Sequence, residues 1–178
     1  MPSSTVLKNG QSLEIREART DDAAQLLVFV EQVSGETSFH SIGPGEFDLS
    51  AEQEANFLRG CQASSNQTYV LGFVDDELVA TASVMASPRP RLRHRGDLGM
   101  SVRRSFWGLG IGTAMLDHLI EWTQENPMLT KLDLRVREDN TIAIALYRGR
   151  GFDDEGVLCK QVCFEGVFYD LIAMGIEV

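Results

Sequence analysis

The sequence predicts a mixed α/β domain with a central, mainly antiparallel sheet flanked by helices. Short stretches that alternate apolar and polar residues, as β-strands do, recur along the chain. Between them lie longer stretches whose apolar residues recur every three to four positions, as in amphipathic helices. Most of the strand stretches follow one another across short turns, which is the pattern of antiparallel hairpins.

The first half of the chain is expected to hold two helices and three strands after a polar lead-in at residues 1–12. Thr20 followed by two aspartates starts the first helix, and Ser50 with Gln53 forms a capping box for the second. Pro44 and three glycines predict a loop between these helices. The expected elements are a strand at 13–17, a helix at 20–33, a loop at 35–48, a helix at 50–63, and strands at 68–74 and 77–85.

The second half is expected to hold two helices and four strands. Two prolines end the preceding hairpin, because proline cannot donate to a sheet ladder. Ile111, Met115 and Leu119 then form one apolar stripe of a long helix. Glu165-Gly166 fits a two-residue hairpin turn near the C-terminus. The expected elements are a strand at 93–102, a helix at 111–125, a strand at 132–136, a short helix at 140–149, and strands at 153–164 and 167–175.

Length and composition indicate one globular domain over residues 1–178, since no repeat, low-complexity tract or linker divides the chain. The 43% apolar and 24% charged residues are typical of such a domain. The formal net charge of −10 disfavours binding to nucleic acids and to anionic membranes. No signal-peptide core and no run of ~18 apolar residues is present, so a cytoplasmic protein is expected.

The three cysteines do not indicate a disulfide framework or a metal site. Their number is odd and no Cys-x-x-Cys pair occurs, so we expect no bound metal. Cys159 and Cys163 lie in an apolar-rich stretch near the C-terminus. We therefore expect both to be buried and unreactive.

Three alternating glycines, Gly108, Gly110 and Gly112, join a predicted strand to the start of the long helix. Glycine allows backbone N–H groups to converge on one point, and a helix start adds unpaired donors and a positive dipole end. The segment is therefore a candidate diphosphate site. A Walker loop is excluded because no lysine lies between Lys8 and Lys131, and the dinucleotide motif fails because no third glycine stands at the required spacing. A glycine-rich turn that only permits close packing is the alternative.

Two segments resemble the GNAT superfamily of N-acetyltransferases. Val102–Leu116 looks like its acetyl-CoA-binding motif, and Arg137–Phe152 is similar to its N-x-x-A-x-x-L-Y-x-x-x-G-F segment. The resemblance covers about residues 13–175. One residue departs from the common pattern: Trp107 stands where the family commonly has Arg or Gln. Members that resemble ribosomal-protein and polyamine acetyltransferases carry an aromatic residue at this position.

The resemblance implies acetyl-CoA as co-substrate and a set of residues that contact it. The backbone of the strand before the glycines would pair with the pantetheine arm, and the glycine-segment amides would hold the pyrophosphate. Arg103 and Arg104 would add charge near the adenosine phosphates or remain solvated. The predicted binding residues are Met100, Ser101, Val102, Trp107, Gly108, Leu109, Gly110, Ile111, Gly112, Thr113, Asn140 and Tyr147.

Acyl transfer to an amine requires a neutral amine, a polarised carbonyl and a protonated thiolate leaving group. A backbone N–H near Leu98 is the candidate for polarising the carbonyl. The resemblance implies Tyr147 as the general acid facing the cofactor sulfur, although a helical tyrosine is more often a packing residue. Asn140 lies seven residues earlier, so both side chains share one helix face.

The general base remains open among three candidates, Glu36, Asp97 and His94, and a water chain is a fourth alternative. The predicted catalytic set is therefore Tyr147, Glu36 and Asp97. Asp170, inside the last strand, would order the acceptor pocket or lie on a solvated face.

Arginines recur at every second residue from Arg89 to Arg95, so an extended chain would present them on one strand face. Such a stripe would dock an acidic protein substrate or discourage edge-to-edge aggregation.

The resemblance favours an enzyme that acetylates a primary amine on a small molecule or on a protein, with a homodimer left open. A non-catalytic acetyl-CoA-binding module of the same fold is the alternative. A nucleotide-binding regulatory domain is disfavoured by the missing phosphate-binding lysine.

Overall fold

The computed structural model describes residues 3–178, which form one sheet of eight strands with four α-helices and two short 3₁₀ turns. The strands are β1 Ser3–Val6, β2 Ser12–Glu17, β3 Thr68–Val74, β4 Glu77–Ala86, β5 Arg95–Val102, β6 Lys131–Arg137, β7 Asp153–Phe164 and β8 Val167–Glu177. The α-helices are α1 Ala23–Glu36, α2 Ala51–Ala63, α3 Ile111–Glu125 and α4 Thr141–Arg148, and the 3₁₀ turns are Thr20–Asp22 and Arg104–Phe106.

The strand order is β1-β2-β3-β4-β5-β6-β8-β7, and every neighbouring pair except β5–β6 is antiparallel. This confirms the predicted mixed α/β class. Both faces of the sheet are covered. One core cluster packs α3 and α4 against the sheet through residues such as Met115, Leu119 and Ile144, and the other packs α1 and α2 through Leu26, Phe29 and Leu58.

The N-terminal residues are not merely a polar lead-in, because Ser3–Val6 form β1 and pair with β2. All four residues of β1 are exposed, so no apolar alternation marks it as a strand. The turn that follows β1 is anchored by buried Leu7, and the amide of Lys8 donates to the carbonyl of Leu109 at 3.2 Å. The N-terminal hairpin therefore supports the glycine segment.

The predicted arginine stripe is wrong, because residues 90–94 form a turn rather than a strand. The amides of Leu92 and Arg93 both donate to the carbonyl of Arg89, which curls the chain. Of the four arginines only Arg95 lies in β5. Prolines on both sides of Arg89 lack the N–H groups that an extended ladder needs.

The prediction that Cys159 and Cys163 are buried is also wrong, since both are exposed on β7. The strand lies at the edge of the sheet, and nothing in the described chain covers it. Exposed apolar side chains on the β7–β8 hairpin include Val157 and Phe168. Cys61 on α2 is the buried cysteine, and burial raises the pKa of its thiol. No helix within residues 3–178 is long and apolar enough to cross a membrane.

Candidate active site

A cleft opens where β5 and β6 separate. The two strands pair only from Arg95–Asp97 to Lys131–Asp133, although β5 continues to Val102 and β6 to Arg137. Beyond this short ladder each strand remains paired on its other side, β5 with β4 and β6 with β8. The facing edges at residues 99–102 and 134–137 therefore have no sheet partner in the described chain.

Backbone polar groups of β5 point into this cleft at alternate residues. The amide of Arg103 donates to the carbonyl of Val79 on β4, so the pairs that exchange hydrogen bonds across β4–β5 involve the odd-numbered residues of β5. The N–H and C=O groups of Leu98, Met100 and Val102 must then face away from β4 and toward the cleft. An extended amide chain can pair with them as an added strand does.

Trp107 modifies this edge. Its indole Nε1 donates to the carbonyl of Val102 at 2.7 Å, and Trp107 remains 41% exposed. The carbonyl of Val102 is thus occupied within the chain itself. The parallel pairing of Asp97 with Asp133 uses the amide of Leu98, which donates to the carbonyl of Asp133. Met100 is therefore the cleft-facing residue of β5 with both backbone polar groups free, and the expected role of the Leu98 N–H does not fit this register. Ser101, between Met100 and Trp107, points instead to the face covered by α1 and α2.

The glycine segment forms an open cradle at the start of α3. Gly108 and Gly110 have φ angles of +79° and +96°, and no heavy atom lies within 4 Å of a Cβ built on either. The first helical hydrogen bond runs from the amide of Ala114 to the carbonyl of Gly110. The amides of Ile111, Gly112 and Thr113 therefore precede the helical ladder and can bind an anion. This open, donor-rich surface fits a diphosphate.

Gly112 serves packing as well. A Cβ at this position would lie 3.3 Å from Cδ2 of Leu146 on α4 and 3.7 Å from Cε of Met100 on β5. The absence of a side chain lets α3, α4 and β5 meet closely. The packing alternative from the sequence therefore holds for Gly112, while the outward-facing Gly108 and Gly110 form the cradle.

Tyr147 lies on α4 in the same core cluster as Leu98 and Val136, which come from the two strands that border the cleft. It is 7% exposed and its ring lies 5.8 Å from that of Phe152. Burial raises the pKa of Tyr147 to about 12, so the hydroxyl is protonated at neutral pH. Asn140 caps α4, its Oδ1 accepting from the amide of Ala143 at 3.3 Å.

The predicted base candidates lie in different surroundings. Glu36 ends α1, and both of its carboxylate oxygens accept hydrogen bonds, Oε1 from Nε of Arg103 at 3.2 Å and Oε2 from the amide of Arg104 at 2.6 Å. Asp97 is exposed on β5, on the strand face opposite buried Leu98. His94 precedes β5, at the end remote from the glycine segment, and is exposed.

Arg103, Arg104 and Asp170 each make specific contacts within the chain. Arg103 pairs with Glu36 and Glu77, and Arg104 donates to the Glu36 carbonyl, so neither is simply solvated. Asp170 accepts from the amide of Lys160 at 2.7 Å, at the register shift between β7 and β8. Its observed contact therefore stabilises a β-bulge, where Lys160 has a φ of 53°.

Sequence reasoning missed Arg137, which anchors the loop between α1 and α2. Its guanidinium binds Asp139 through two hydrogen bonds, donates to the carbonyl of Ser38 at 2.6 Å, and lies over the rings of Tyr169 and Phe39 at 3.7 and 5.0 Å. Together with the Glu36–Arg103 pair, this contact fastens the start of the loop to the ends of both cleft strands.

Sequence reasoning also missed a cavity of about 330 Å³ between the sheet and α1, α2 and their connecting loop. Its walls are mainly apolar and aromatic, and its polar groups include Glu54, His40 and the hydroxyls of Tyr69, Thr81 and Ser101. Ser101 pairs with Thr81 across β4–β5. The cavity therefore reaches the residue next to Met100 on the cleft strand. The apolar lining residues are Phe29, Val30, Val33, Ile42, Phe47, Leu49 and Phe57.

Strands that separate beside a glycine-rich helix start are the architecture of acyl-CoA-dependent N-acetyltransferases, and the fold and cleft place the chain in that class. A family model described as the acetyltransferase (GNAT) family matches residues 34–152, and the chain belongs to this family. The matched range contains both segments on which the resemblance rested.

Individual relatives agree with this class. An acetyltransferase of the GNAT family from Streptococcus pneumoniae has 35% identity and a TM-score of 0.91, covering 93% of this chain and 99% of that one. A ribosomal-protein-alanine N-acetyltransferase from Brucella melitensis has 25% identity and a TM-score of 0.80, covering 92% and 99%. The L-amino acid N-acetyltransferase AaaT of Escherichia coli (strain K12) is 28% identical over 101 residues, which are 57% of this chain and 62% of the relative.

Proposed function

We propose that this chain transfers the acetyl group of acetyl-CoA to a primary amine by direct attack, with Tyr147 as the general acid. The observation that carries the proposal is the continuity of the cleft. Its β5 edge presents free backbone groups, the glycine cradle lies where β5 leads into α3, and Tyr147 belongs to the core cluster that includes residues of both cleft strands.

Each part of the cleft has a role in binding the donor. The free backbone groups of Met100 and the N–H of Val102 would pair with the pantetheine arm, and the amides from Gly108 to Thr113 would hold the pyrophosphate. Because the Trp107 side chain has no charge, the backbone amides would bind the pyrophosphate. The indole instead occupies the Val102 carbonyl and thereby fixes the end of β5 against the glycine segment.

Acetyl-CoA supplies an activated acetyl group, and the residues around it manage charge and protons. Because the N–H of Leu98 belongs to the β5–β6 ladder, the N–H of Met100 is the free strand amide that would donate to the thioester carbonyl oxygen, where negative charge develops. As the amine nitrogen bonds to the carbonyl carbon and the C–S bond breaks, Tyr147 donates its proton to the sulfur. Its high pKa ensures that the proton is present beforehand.

Among the predicted bases, Glu36 is better assigned to positioning, because Arg103 and Arg104 engage both of its oxygens. Asp97 faces the same side of the sheet as Ser101 and remains a candidate, whereas His94 lies at the far end of β5. The acceptor is a small-molecule or protein amine, in line with an L-amino acid N-acetyltransferase and a ribosomal-protein-alanine N-acetyltransferase among the relatives.

The test is a panel of amines, amino acids and lysine peptides, assayed by release of free CoA thiol from acetyl-CoA. We expect at least one member to release thiol in proportion to the N-acetylated product seen by mass spectrometry. Binding of acetyl-CoA without any transfer across the panel would favour the non-catalytic module instead.

A further inference from the structure

Glu54 is the one buried charged side chain of the described residues that lacks an ionic partner. Asp22 pairs with Arg16, Asp133 with Arg95 and Lys131, and Arg137 with Asp139. Glu54 is only 3% exposed, in the first turn of α2. Burial raises the pKa of the Glu54 carboxyl. No cation or hydrogen-bond donor of the described chain offsets this loss of solvation. No side-chain oxygen of the described residues is both buried and without a hydrogen bond, so the carboxylate oxygens of this otherwise buried residue reach the open space of the cavity that Glu54 lines. An external group in that cavity can therefore be the missing partner.

The surroundings of Glu54 indicate what that partner is. The carboxyl lines the cavity of about 330 Å³, whose walls are mainly apolar and aromatic and, within the described residues, include no lysine or arginine. The other titratable groups of the lining are His40, whose pKa burial lowers, and Tyr69, whose pKa burial raises to about 12. Neither supplies a positive charge at neutral pH. The cavity is therefore suited to an apolar group that carries a cation.

We propose that this cavity is the acceptor site and that Glu54 is the carboxylate that binds the acceptor's amino group and takes its proton. The inference rests on the proposed acetyltransferase function and names its substrate class: a primary amine on an apolar aliphatic or aromatic group. A cavity of this volume holds about ten non-hydrogen atoms, at about 30 Å³ for each water-sized unit.

The proton balance follows from burial. In water an alkylammonium and a carboxylic acid differ by about six pKa units, which strongly disfavours proton transfer to the carboxylate. In an apolar cavity the pKa of the carboxyl rises and that of the ammonium falls, so the two approach each other. One N–H bond breaks and an O–H bond forms on Glu54, leaving the neutral amine that attacks the thioester carbonyl carbon. Tyr147 independently protonates the departing sulfur.

The route from this site to the donor lies along the sheet. The hydroxyls of Thr81 and Ser101 line the cavity from directly paired positions on β4 and β5. Ser101 adjoins Met100, whose backbone faces the cleft. An amine held between Glu54 and Ser101 is thus next to the strand that binds the donor.

The decisive variant is Glu54→Gln, which keeps the shape of the side chain and removes its charge. Glu52→Gln is the matched control, since Glu52 is exposed in the same helical turn. With 2-phenylethylamine as acceptor, we expect E54Q to lower kcat/KM at least 100-fold and E52Q to leave it within twofold. Calorimetry should give the same Kd for acetyl-CoA in both variants, and E54Q should melt at or above the wild-type temperature, because it removes an unpaired buried charge.

Spermidine tests the substrate class, because its three amines are protonated at neutral pH and burying them in an apolar cavity is unfavourable. We expect 2-phenylethylamine to be acetylated with the higher kcat/KM. Unchanged turnover of 2-phenylethylamine in folded E54Q, or a preference for spermidine that E54Q does not affect, would overturn this inference and leave the acetyltransferase function standing. Failure of every amine in the panel to release thiol would instead refute the function and the inference together.

Discussion

Replacing Gly108 by alanine separates anion binding from backbone strain, because the chain contains a matched second site. Gly108 in the cradle and Gly166 in the β7–β8 turn both have a φ of +79°, and a Cβ at either would meet no heavy atom within 4 Å. Each substitution therefore costs backbone strain alone, about 1–2 kcal/mol for an L-residue in the left-handed region. For a chain of this size that lowers the Tm by about 2–8 °C in both variants.

The two variants should differ in their affinity for acetyl-CoA. At position 108 the methyl group enters the space in which a diphosphate would approach the amides of Ile111, Gly112 and Thr113. Loss of one hydrogen bond to a charged oxygen costs about 1.5–3 kcal/mol, which is about a 10- to 150-fold rise in Kd. At position 166 no such effect is expected, because the turn lies in a separate hairpin.

Isothermal titration of acetyl-CoA at one fixed salt concentration measures the difference, and thermal unfolding without ligand verifies that the strain is matched. Equal Kd values for Gly108→Ala and Gly166→Ala would refute the assignment of the cradle to the pyrophosphate. A loss in both variants that follows their Tm values would show strain, rather than a lost anion site, as the cause.

Three further substitutions test two residues of the site and one ion pair of the surrounding fold. Tyr147→Phe keeps the packing on Phe152 and should lower kcat about 100-fold or more without changing the Kd for acetyl-CoA in titration; an unchanged kcat would remove Tyr147 as the acid. Arg137→Lys should lower the free energy of unfolding by about 1–3 kcal/mol in urea titration and raise the amine KM more than the acetyl-CoA KM, since a lysine cannot reproduce the planar contacts to Asp139 and Ser38. Asp22→Asn should cost about 1–3 kcal/mol at pH 7. Arg16 holds the pKa of Asp22 below its ordinary value, so the stabilisation is complete above pH ~4 and is lost as the pH falls through the folded-state pKa. Urea unfolding at pH 7 and pH 3 should therefore show that the stability difference between wild type and Asp22→Asn shrinks at the lower pH. A constant difference would contradict the ion pair as its source.

The proposed donor half of the site could be inferred from the sequence because its residues lie in two contiguous segments. The turn at Gly108 and Gly110 and the cap at Asn140 depend on local conformational preferences, which residue types reveal directly. What the local sequence could not show is which carbonyl Trp107 would bind, because that depends on how the segment folds back onto β5.

The proposed acceptor half could not be inferred from the sequence, because its residues are far apart in the chain and each has an ordinary local explanation. Glu54 stands in the first turn of a helix, where the helix dipole stabilises an acidic side chain that is usually exposed to solvent. Arg137 ends a strand that alternates apolar and charged residues, which suggests a solvent-facing side chain. The burial of both depends on the loop between α1 and α2, whose path the sequence does not specify.

That loop couples the two halves of the site. Glu36 fastens its beginning to the end of β5, and Arg137 fastens Ser38 to the end of β6, so both strands that bound the donor cleft also hold the wall of the acceptor cavity. His40, Ile42 and Phe47 of that wall follow directly along the chain. A carboxyl placed to take a proton must be held to within a fraction of an ångström of the reacting amine. The two clamps provide this by fixing the acceptor wall to the strands that position the donor, which gives Glu36 a structural reason to be an ion pair rather than a free base.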